Sequence, residues 1–187
     1  MRKLTVFNFV SLNGYFQGAN GDISWAHSRP ENEYGAKMLE AGDTLLFGRK
    51  TYEMMVQFWP TDEAKKSAPE IAEGMNKAEK IVFSRTLEKV EWNNARLMKD
   101  NVVEEIKKMK QTPGSNLTIL GSGSIVNQFA DAALLDEFQM LVHPIALDDG
   151  TPILKDIKHN LELKLADSKA FDSGTLLMVY QSVPAGS

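Results

Sequence analysis

Cysteine is absent from the 187 residues, which excludes disulfides, thiolate metal sites and a cysteine nucleophile. Histidine is scarce. His27, His143 and His159 stand far apart, without the i, i+4 spacing or neighbouring acids of a metal site, so no metal is expected. Positive charge is not in surplus either: 21 Lys and Arg face 25 Asp and Glu, for a formal charge of −4. That balance argues against a generic nucleic-acid binder, whose affinity comes from cations that displace phosphate counterions. A small anionic ligand needs only a few well-placed cations and stays open. No run approaches the ~18 apolar residues of a membrane span. The basic start Met1-Arg2-Lys3 leads into LTVFNFVSL, but Asn8 interrupts it and no small-residue cleavage site follows. A cytoplasmic protein without membrane or nucleic-acid partners is the expectation. Repeats and low-complexity tracts are missing, and Ser11 and Ser24 have no base nearby in sequence, which leaves no case for a hydrolase.

What remains is ordinary globular material, 43% hydrophobic and 25% charged, of a length that suits one domain over residues 1–183 with a loose tail at 184–187. Segments 3–10, 44–47, 80–83 and 117–120 are apolar at nearly every position, as strands covered on both faces are. Helical spacing appears over 31–41 (Tyr34, Met38, Leu39), 101–110 (Val102, Val103, Ile106, Met109) and 124–135 (Ile125, Val126, Phe129). Asn101 and Glu104 read as a capping box, and Lys107, Lys108 and Lys110 as the solvated face of that helix. Past Leu135 the rhythm changes to three strands, 137–143, 161–167 and 175–181, with a turn at Phe171-Asp172-Ser173-Gly174. Leu161, Leu163 and Leu165 alternate with Glu162 and Lys164, which predicts one exposed face. The class is α/β: a single mixed sheet flanked by helices.

Three predicted strands run into residues suited to anions: Gly48-Arg49-Lys50-Thr51, Ser84-Arg85-Thr86 and Gly121-Ser122-Gly123-Ser124, the last followed at once by a helix. In an open α/β sheet such ends share the edge where ligands bind. Glycines let a phosphate approach the backbone, helix starts offer free N–H groups, and arginine offers a planar fork. Gly121-Ser-Gly-Ser is not a full G-x-G-x-x-G, since Val126 stands at the last position. Together the three ends suit a dinucleotide, with its diphosphate at residues 121–124 and a further phosphate on Arg49 or Arg85. A cationic pocket of that kind favours NADP over NAD.

These segments carry a family likeness. With Ser11-Leu12-Asn13-Gly14, Leu46-Phe47-Gly48-Arg49-Lys50-Thr51-Tyr52, Val82-Phe83-Ser84-Arg85, Gly121-Ser-Gly-Ser124 and His143-Pro144 followed by Asp149-Gly150-Thr-Pro-Ile-Leu154, the chain resembles the dihydrofolate reductase-like superfamily. Within it, the chain is similar to the branch related to the reductase domain of bacterial riboflavin-biosynthesis deaminase-reductases. The resemblance implies a three-layer fold with about eight strands, mostly parallel, the last one antiparallel. It implies NADPH as cofactor, a small pterin-like, pyrimidine-like or related conjugated substrate, and a homodimer. It also implies cofactor contacts at Val10, Ser11, Gly48, Arg49, Lys50, Thr51, Ser84, Arg85, Thr86, Gly121, Ser122, Gly123, Ser124 and Ile125. Two positions depart from the pattern. Asn13 stands where this branch usually has Asp, and Asp148-Asp149-Gly150 replaces a glycine-rich turn.

The substrate pocket is expected between the loop after the first strand and the first helix, with Gly14, Trp25, Tyr52 and Trp59 lining it. Catalytic candidates there are Glu31, Asp22 and Asn13. An apolar setting would raise the pKa of Glu31 and let it relay a proton; the plain alternative is an acid favoured at a helix start. Asp22, in Asn20-Gly21-Asp22, is otherwise a turn residue, and Asn13 can only orient. On this reading Asn13→Asp keeps or raises activity. Two other functions stay open: a nucleotide-binding protein that has lost catalysis, and a flavodoxin-like flavin carrier. The basic segments offer more anionic sites than one flavin mononucleotide needs. The late strands, with Leu176 to Tyr180 apolar on more than one face, point to a dimer.

Overall fold

The first apolar run becomes the central strand β1 (Leu4–Ser11), buried at every position but Phe9. The computed structural model describes residues 1–26 and 29–183, with the backbone alone for 29–32. After β1 come β2 (Tyr15–Gly18), two short 3-10 turns, α1 (Arg29–Glu40), β3 (Thr44–Gly48) and α2 (Arg49–Phe58). Next are α3 (Asp62–Ser67), α4 (Pro69–Lys77), β4 (Lys80–Phe83), β5 (Ala95–Met98), α5 (Val102–Gln111), β6 (Leu117–Leu120) and α6 (Gly123–Asp131). The chain closes with β7 (Glu137–His143), β8 (Gly150–Pro152), β9 (Leu163–Ala170) and β10 (Leu176–Ser182).

Eight strands form one sheet in the order β5-β4-β3-β6-β1-β7-β10-β9, while β2 and β8 pair apart from it. From β5 to β7 all pairs are parallel; β10 runs antiparallel to both β7 and β9. This is the dihydrofolate reductase-like arrangement that the sequence resemblance implies. Alternation divides the core into two layers. Leu4, Val6, Leu46 and Ile119 face Ile106 of α5 and Val126 and Phe129 of α6. Phe7, Leu45, Phe47 and Leu141 face the other way, toward Leu39 of α1, Tyr52 of α2 and Met75 of α4. Because both faces of β1, β3, β4 and β6 are covered, most of their positions are apolar, which is why their runs stand out in the sequence; Thr5, Asn8, Ser11, Thr44, Lys80 and Thr118 are the buried polar exceptions.

Three local expectations are corrected. Asn101 adopts the left-handed conformation (φ 53°) and its side chain caps nothing, while Glu104 pairs with Lys107 at 2.9 Å. Lys110 is not solvated. It is buried, its Nζ donating to Leu134 O and to Asp136 Oδ2, both at 2.5 Å, and Asp136 Oδ2 also accepts the Leu4 N–H. The single exposed face expected of residues 161–167 holds only at its start: Leu161 and Leu163 are half-buried against the core and Glu162 is exposed, but from Lys164 to Ala170 the edge strand β9 is exposed on both faces. The turn at 171–174 forms, with Gly174 N–H donating to Phe171 O. Among the described residues, no helix is long and apolar enough to cross a membrane. Residues 184–187 lie outside the described residues.

Candidate cofactor and substrate site

Strands β4, β3 and β6 are neighbours and parallel, so their three polar ends emerge side by side. Ser122 ties two of them together. Its Oγ accepts the Gly48 N–H at 2.6 Å and donates to Thr51 Oγ1 at 2.9 Å. To do so Ser122 holds a left-handed backbone (φ 61°, ψ 59°), a strained state for a residue with a Cβ. Space is tight around it: a Cβ on Gly48 would lie 3.0 Å from Ser122 Oγ, and one on Gly121 (φ 60°) 3.1 Å from Thr51 Oγ1. Ser122 is therefore spent on the scaffold rather than free for a phosphate. The starts of α2 and α6 receive no side-chain cap. Their first N–H groups are left for an anion.

Cations surround these helix starts. Arg49 donates through Nη1 to Thr86 Oγ1 at 2.8 Å and through Nε to Glu53 at 2.8 Å, so the β3 and β4 ends are joined at the surface. Lys50 and Arg85 are exposed. Ser84 Oγ accepts the N–H groups of Thr86 and Leu87, shaping the turn that presents Arg85. Beside it opens a cleft of about 520 Å³, lined by Ser84, Arg85, Lys99, Ile125 and Gln128 among others. Lys99 and Gln128 were not singled out from sequence. Gln128 lies four residues after Ser124 on α6, one helical turn along the same face, and Lys99 follows the end of the next parallel strand. Ser124 is exposed, Gly123 sits under the Phe16 ring, and Val10 belongs to the core.

At the other end of the same edge, the candidates hold one another. Ser11 Oγ donates to Asn13 Oδ1 at 2.8 Å and accepts the Tyr15 N–H at 3.0 Å. Asn13 clasps a distant loop with both ends of its amide: Nδ2 donates to Leu147 O at 2.8 Å and Oδ1 accepts the Leu147 N–H at 3.1 Å. Gly14 closes the turn through its N–H to Ser11 O. Asp22 Oδ1 accepts the Ser24 N–H at 2.9 Å, and its carbonyl accepts Trp25 Nε1 at 3.1 Å. The Trp25 ring stands edge-on to His143 at 5.5 Å. Tyr52, expected in the pocket wall, is buried in the core, where its hydroxyl accepts the Glu91 N–H at 2.9 Å. Trp59 is half-buried, with Nε1 directed at Met55 Sδ and its carbonyl accepting Asn76 Nδ2 at 2.9 Å. Glu31 belongs to the first turn of α1, but its side chain lies outside the described residues. The structure thus brings the cofactor candidates of three strand ends to one sheet edge, with Ser84, Arg85 and Ile125 lining a cleft there, and gathers Ser11, Asn13, Gly14 and Trp25 at the ends of β1 and β7.

Comparison with known proteins agrees with this fold. The family model described as RibD C-terminal domain matches residues 2–177. The chain is similar to the uncharacterized protein YyaP of Bacillus subtilis (strain 168), 32% identical over 179 residues that cover 96% of this chain and 94% of that protein. Among solved structures it is similar to a putative riboflavin biosynthesis protein from Shewanella sp. PV-4, with a TM-score of 0.78 at 23% identity, over 97% of this chain and 99% of that one. Dihydrofolate reductase from Enterococcus faecalis, complexed with NADP(H), gives a TM-score of 0.62 at 15% identity over 96% of each chain. At these identities the two structures are likenesses of fold.

Proposed function

This chain belongs to the RibD C-terminal domain family, and on that premise we propose that it is an NADPH-dependent reductase acting on a C=N or similar group of a small pterin-like or pyrimidine-like heterocycle. The observation that carries the reading is the shared edge of β4, β3 and β6, where two helix starts lack a side-chain cap, Arg49, Lys50 and Arg85 follow the strand ends, and a cleft opens beside Arg85. The donor set fits a dinucleotide phosphate. N–H groups at the starts of α2 and α6 would hold the diphosphate, and Arg85, with Arg49 and Lys99, the extra ribose phosphate. When bound, the reduced nicotinamide supplies a hydride. The protein's share is orientation, exclusion of water and a proton. Asn13 has no acid proton to give and already engages Leu147 through both amide atoms; Glu31 is the carboxylate candidate at the start of α1. A homodimer in the cytoplasm completes the reading, supported by the open edge of β9, where Leu165 stands exposed.

The engagement of Asn13 favours one rival, a nucleotide-binding protein without catalysis. Cofactor titration followed by a screen for NADPH consumption with pterins and pyrimidines decides between them. NADPH is expected to bind more tightly than NADH. Arg85→Ala should cost about 1.5–3 kcal/mol of NADPH affinity, the loss of a charge-assisted contact, and leave NADH affinity unchanged. Equal affinities for the two cofactors in the parent protein would sink the 2′-phosphate assignment. Tight NADPH binding with no consumption across the screen would favour the binding protein, and a yellow protein as purified would favour the flavin carrier.

A further inference from the structure

A second cavity lies at the starts of the parallel strands, the sheet edge opposite the cofactor candidates. It holds about 320 Å³, toward the small end of the roughly 300–1,000 Å³ of ligand pockets, and is walled by β1, β6, β7 and α1. Its floor departs from the apolar pattern of the covered strands. Thr118 of β6, Thr5 of β1 and Glu137 of β7 stand in register, one polar residue on each of three adjacent strands, and Gln139 follows two residues along β7. Strand alternation puts Thr5 on the face of Phe7, the face that α1 covers. Most of the polar groups are occupied with one another. The Tyr34 hydroxyl donates to Gln139 Oε1 at 3.0 Å, Gln139 Nε2 donates to Glu137 Oε1 at 2.7 Å, and Lys3 Nζ stands 3.6 Å from Glu137 Oε2. Thr118 Oγ1 donates to Asp43 Oδ2 at 2.7 Å. Three groups are left. Thr5 lines the cavity and is 6% exposed, and its hydroxyl has no hydrogen-bond partner among the described residues. Lys37, exposed at the rim, forms no ion pair with any described residue. Asp43 keeps its other carboxylate oxygen without a described partner.

We infer that this cavity is a binding site for a small zwitterion, a molecule of amino-acid size that carries one ammonium and one carboxylate. Charge balance selects the class. Lys3 and Glu137 face one another, so the uncommitted charges are Lys37 and Asp43, one of each sign. A simple anion would meet the carboxylates of Asp43 and Glu137, and a simple cation the ammonium groups of Lys3 and Lys37. A zwitterion sets its carboxylate toward Lys37 and its ammonium toward Asp43. The Thr5 hydroxyl gains a partner from it, which returns the free energy that a buried, unpaired hydroxyl costs. Met38 of α1 supplies an apolar wall for the carbon chain between the two charges. Binding alone is assigned, with no bond made or broken. The cavity is separate from the strand ends that carry Arg49 and Arg85, so the inference does not depend on the reductase reading.

The test adds short-chain probes to the whole chain labelled with ¹⁵N and follows its amide NMR spectrum. The compounds 2-aminobutyrate and 4-aminobutyrate carry both charges at two spacings, while butyrate and butylammonium carry one charge each on the same skeleton. At least one aminobutyrate should shift the amides of Thr5, Lys37 and Thr118 with a dissociation constant of about 1 mM, the affinity expected of a small fragment. Each single-charge probe should bind about tenfold more weakly or less, having lost one charge-assisted contact. Lys37→Gln and Asp43→Asn should each weaken the aminobutyrate about tenfold, and Thr5→Val about threefold. Lys37 is exposed, so Lys37→Gln reads binding without disturbing the fold. If neither aminobutyrate moves these amides at about 10 mM, the cavity takes only water and the inference is overturned. Butyrate or butylammonium binding as tightly as the zwitterions overturns the assigned class. Aminobutyrate binding that Lys37→Gln and Asp43→Asn both leave unchanged overturns the site.

Discussion

At the ends of β3, β4 and β6 hydroxyls join the loops and cations are left over, whereas at the ends of β1 and β7 hydroxyl, amide and carboxylate all join the loops and aromatic rings are left over. Ser122, Thr51 and Ser84 fix the first set of turns through side-chain bonds, and Lys50 and Arg85 stay exposed beside them. Ser11, Asn13 and Asp22 fix the second set, leaving Phe9, Trp25 and His143 in ring contact. On the proposed function, the first region would meet the charge of a dinucleotide and the second a flat, conjugated substrate.

The sharpest way to break the first region is at its backbone. Gly121→Val forces a β-branched residue into the left-handed conformation and drives it against Thr51, 3.1 Å from where a Cβ would stand. The expected cost is roughly 2–4 kcal/mol of stability, combining backbone strain with overpacking, and NADPH affinity should fall together with the melting temperature. Arg85→Ala is the contrast, since it removes an exposed side chain and should lower affinity alone. A Gly121→Val protein that melts like the parent would show that the turn is looser than the Ser122 bridge implies.

The second region is tested at Asn13, where the structure revises the sequence expectation. Aspartate there keeps the acceptor for the Leu147 N–H but sets a carboxylate oxygen against the Leu147 carbonyl, in place of a 2.8 Å hydrogen bond. Asn13→Asp is therefore expected to cost about 1–3 kcal/mol at pH 7 rather than to be neutral. The penalty should shrink on acidification toward about pH 4, where a protonated carboxyl can donate again. Urea denaturation at the two pH values measures it. Equal stability of variant and parent at pH 7 would mean that the loop around Leu147 yields easily, and the sequence-based expectation of retained activity would then regain its footing.

How much of this was readable from the chain depends on how far apart the partners lie. The strands β1, β3, β4 and β6 are legible because burial on both faces makes most of their positions apolar, and the three polar ends are legible because they follow those strands directly. Partnerships are not. Gly48 and Ser122 are 74 residues apart, Asn13 and Leu147 134, and Lys110 and Asp136 26; each pairing is set by sheet order, which periodicity does not encode. Ser122 therefore read as a phosphate donor and Lys110 as a solvated lysine. The strand β9 misled only in part: Leu161 and Leu163 do face the core, but from Lys164 onward this edge strand is exposed on both faces.

The smallest effect lies beneath the first region, at the far end of β4. Lys80 is 1% exposed, with Nζ donating to the carbonyls of Asn76, Ala78 and Asn93 at 3.3, 2.6 and 3.0 Å and standing 4.7 Å from the Trp92 ring. Asn76 in turn holds the Trp59 carbonyl at the end of α2, so this ammonium supports the helix whose start carries Arg49 and Lys50. Burial lowers its pKa from 10.5 to about 8. The unfolded chain thus keeps a proton, between about pH 8 and 10.5, that the folded chain has released, and for this group stability rises with pH across that window and is flat below it. Lys80→Met removes the titration and leaves three carbonyls short of a donor, so it should be less stable at every pH while losing the rise. Comparing the slopes of unfolding free energy against pH cancels the other titrating groups, which both proteins share. Parallel curves for parent and Lys80→Met would mean that the lysine keeps its ordinary affinity for the proton and that the Asn76–Trp59 tie does not depend on a desolvated charge.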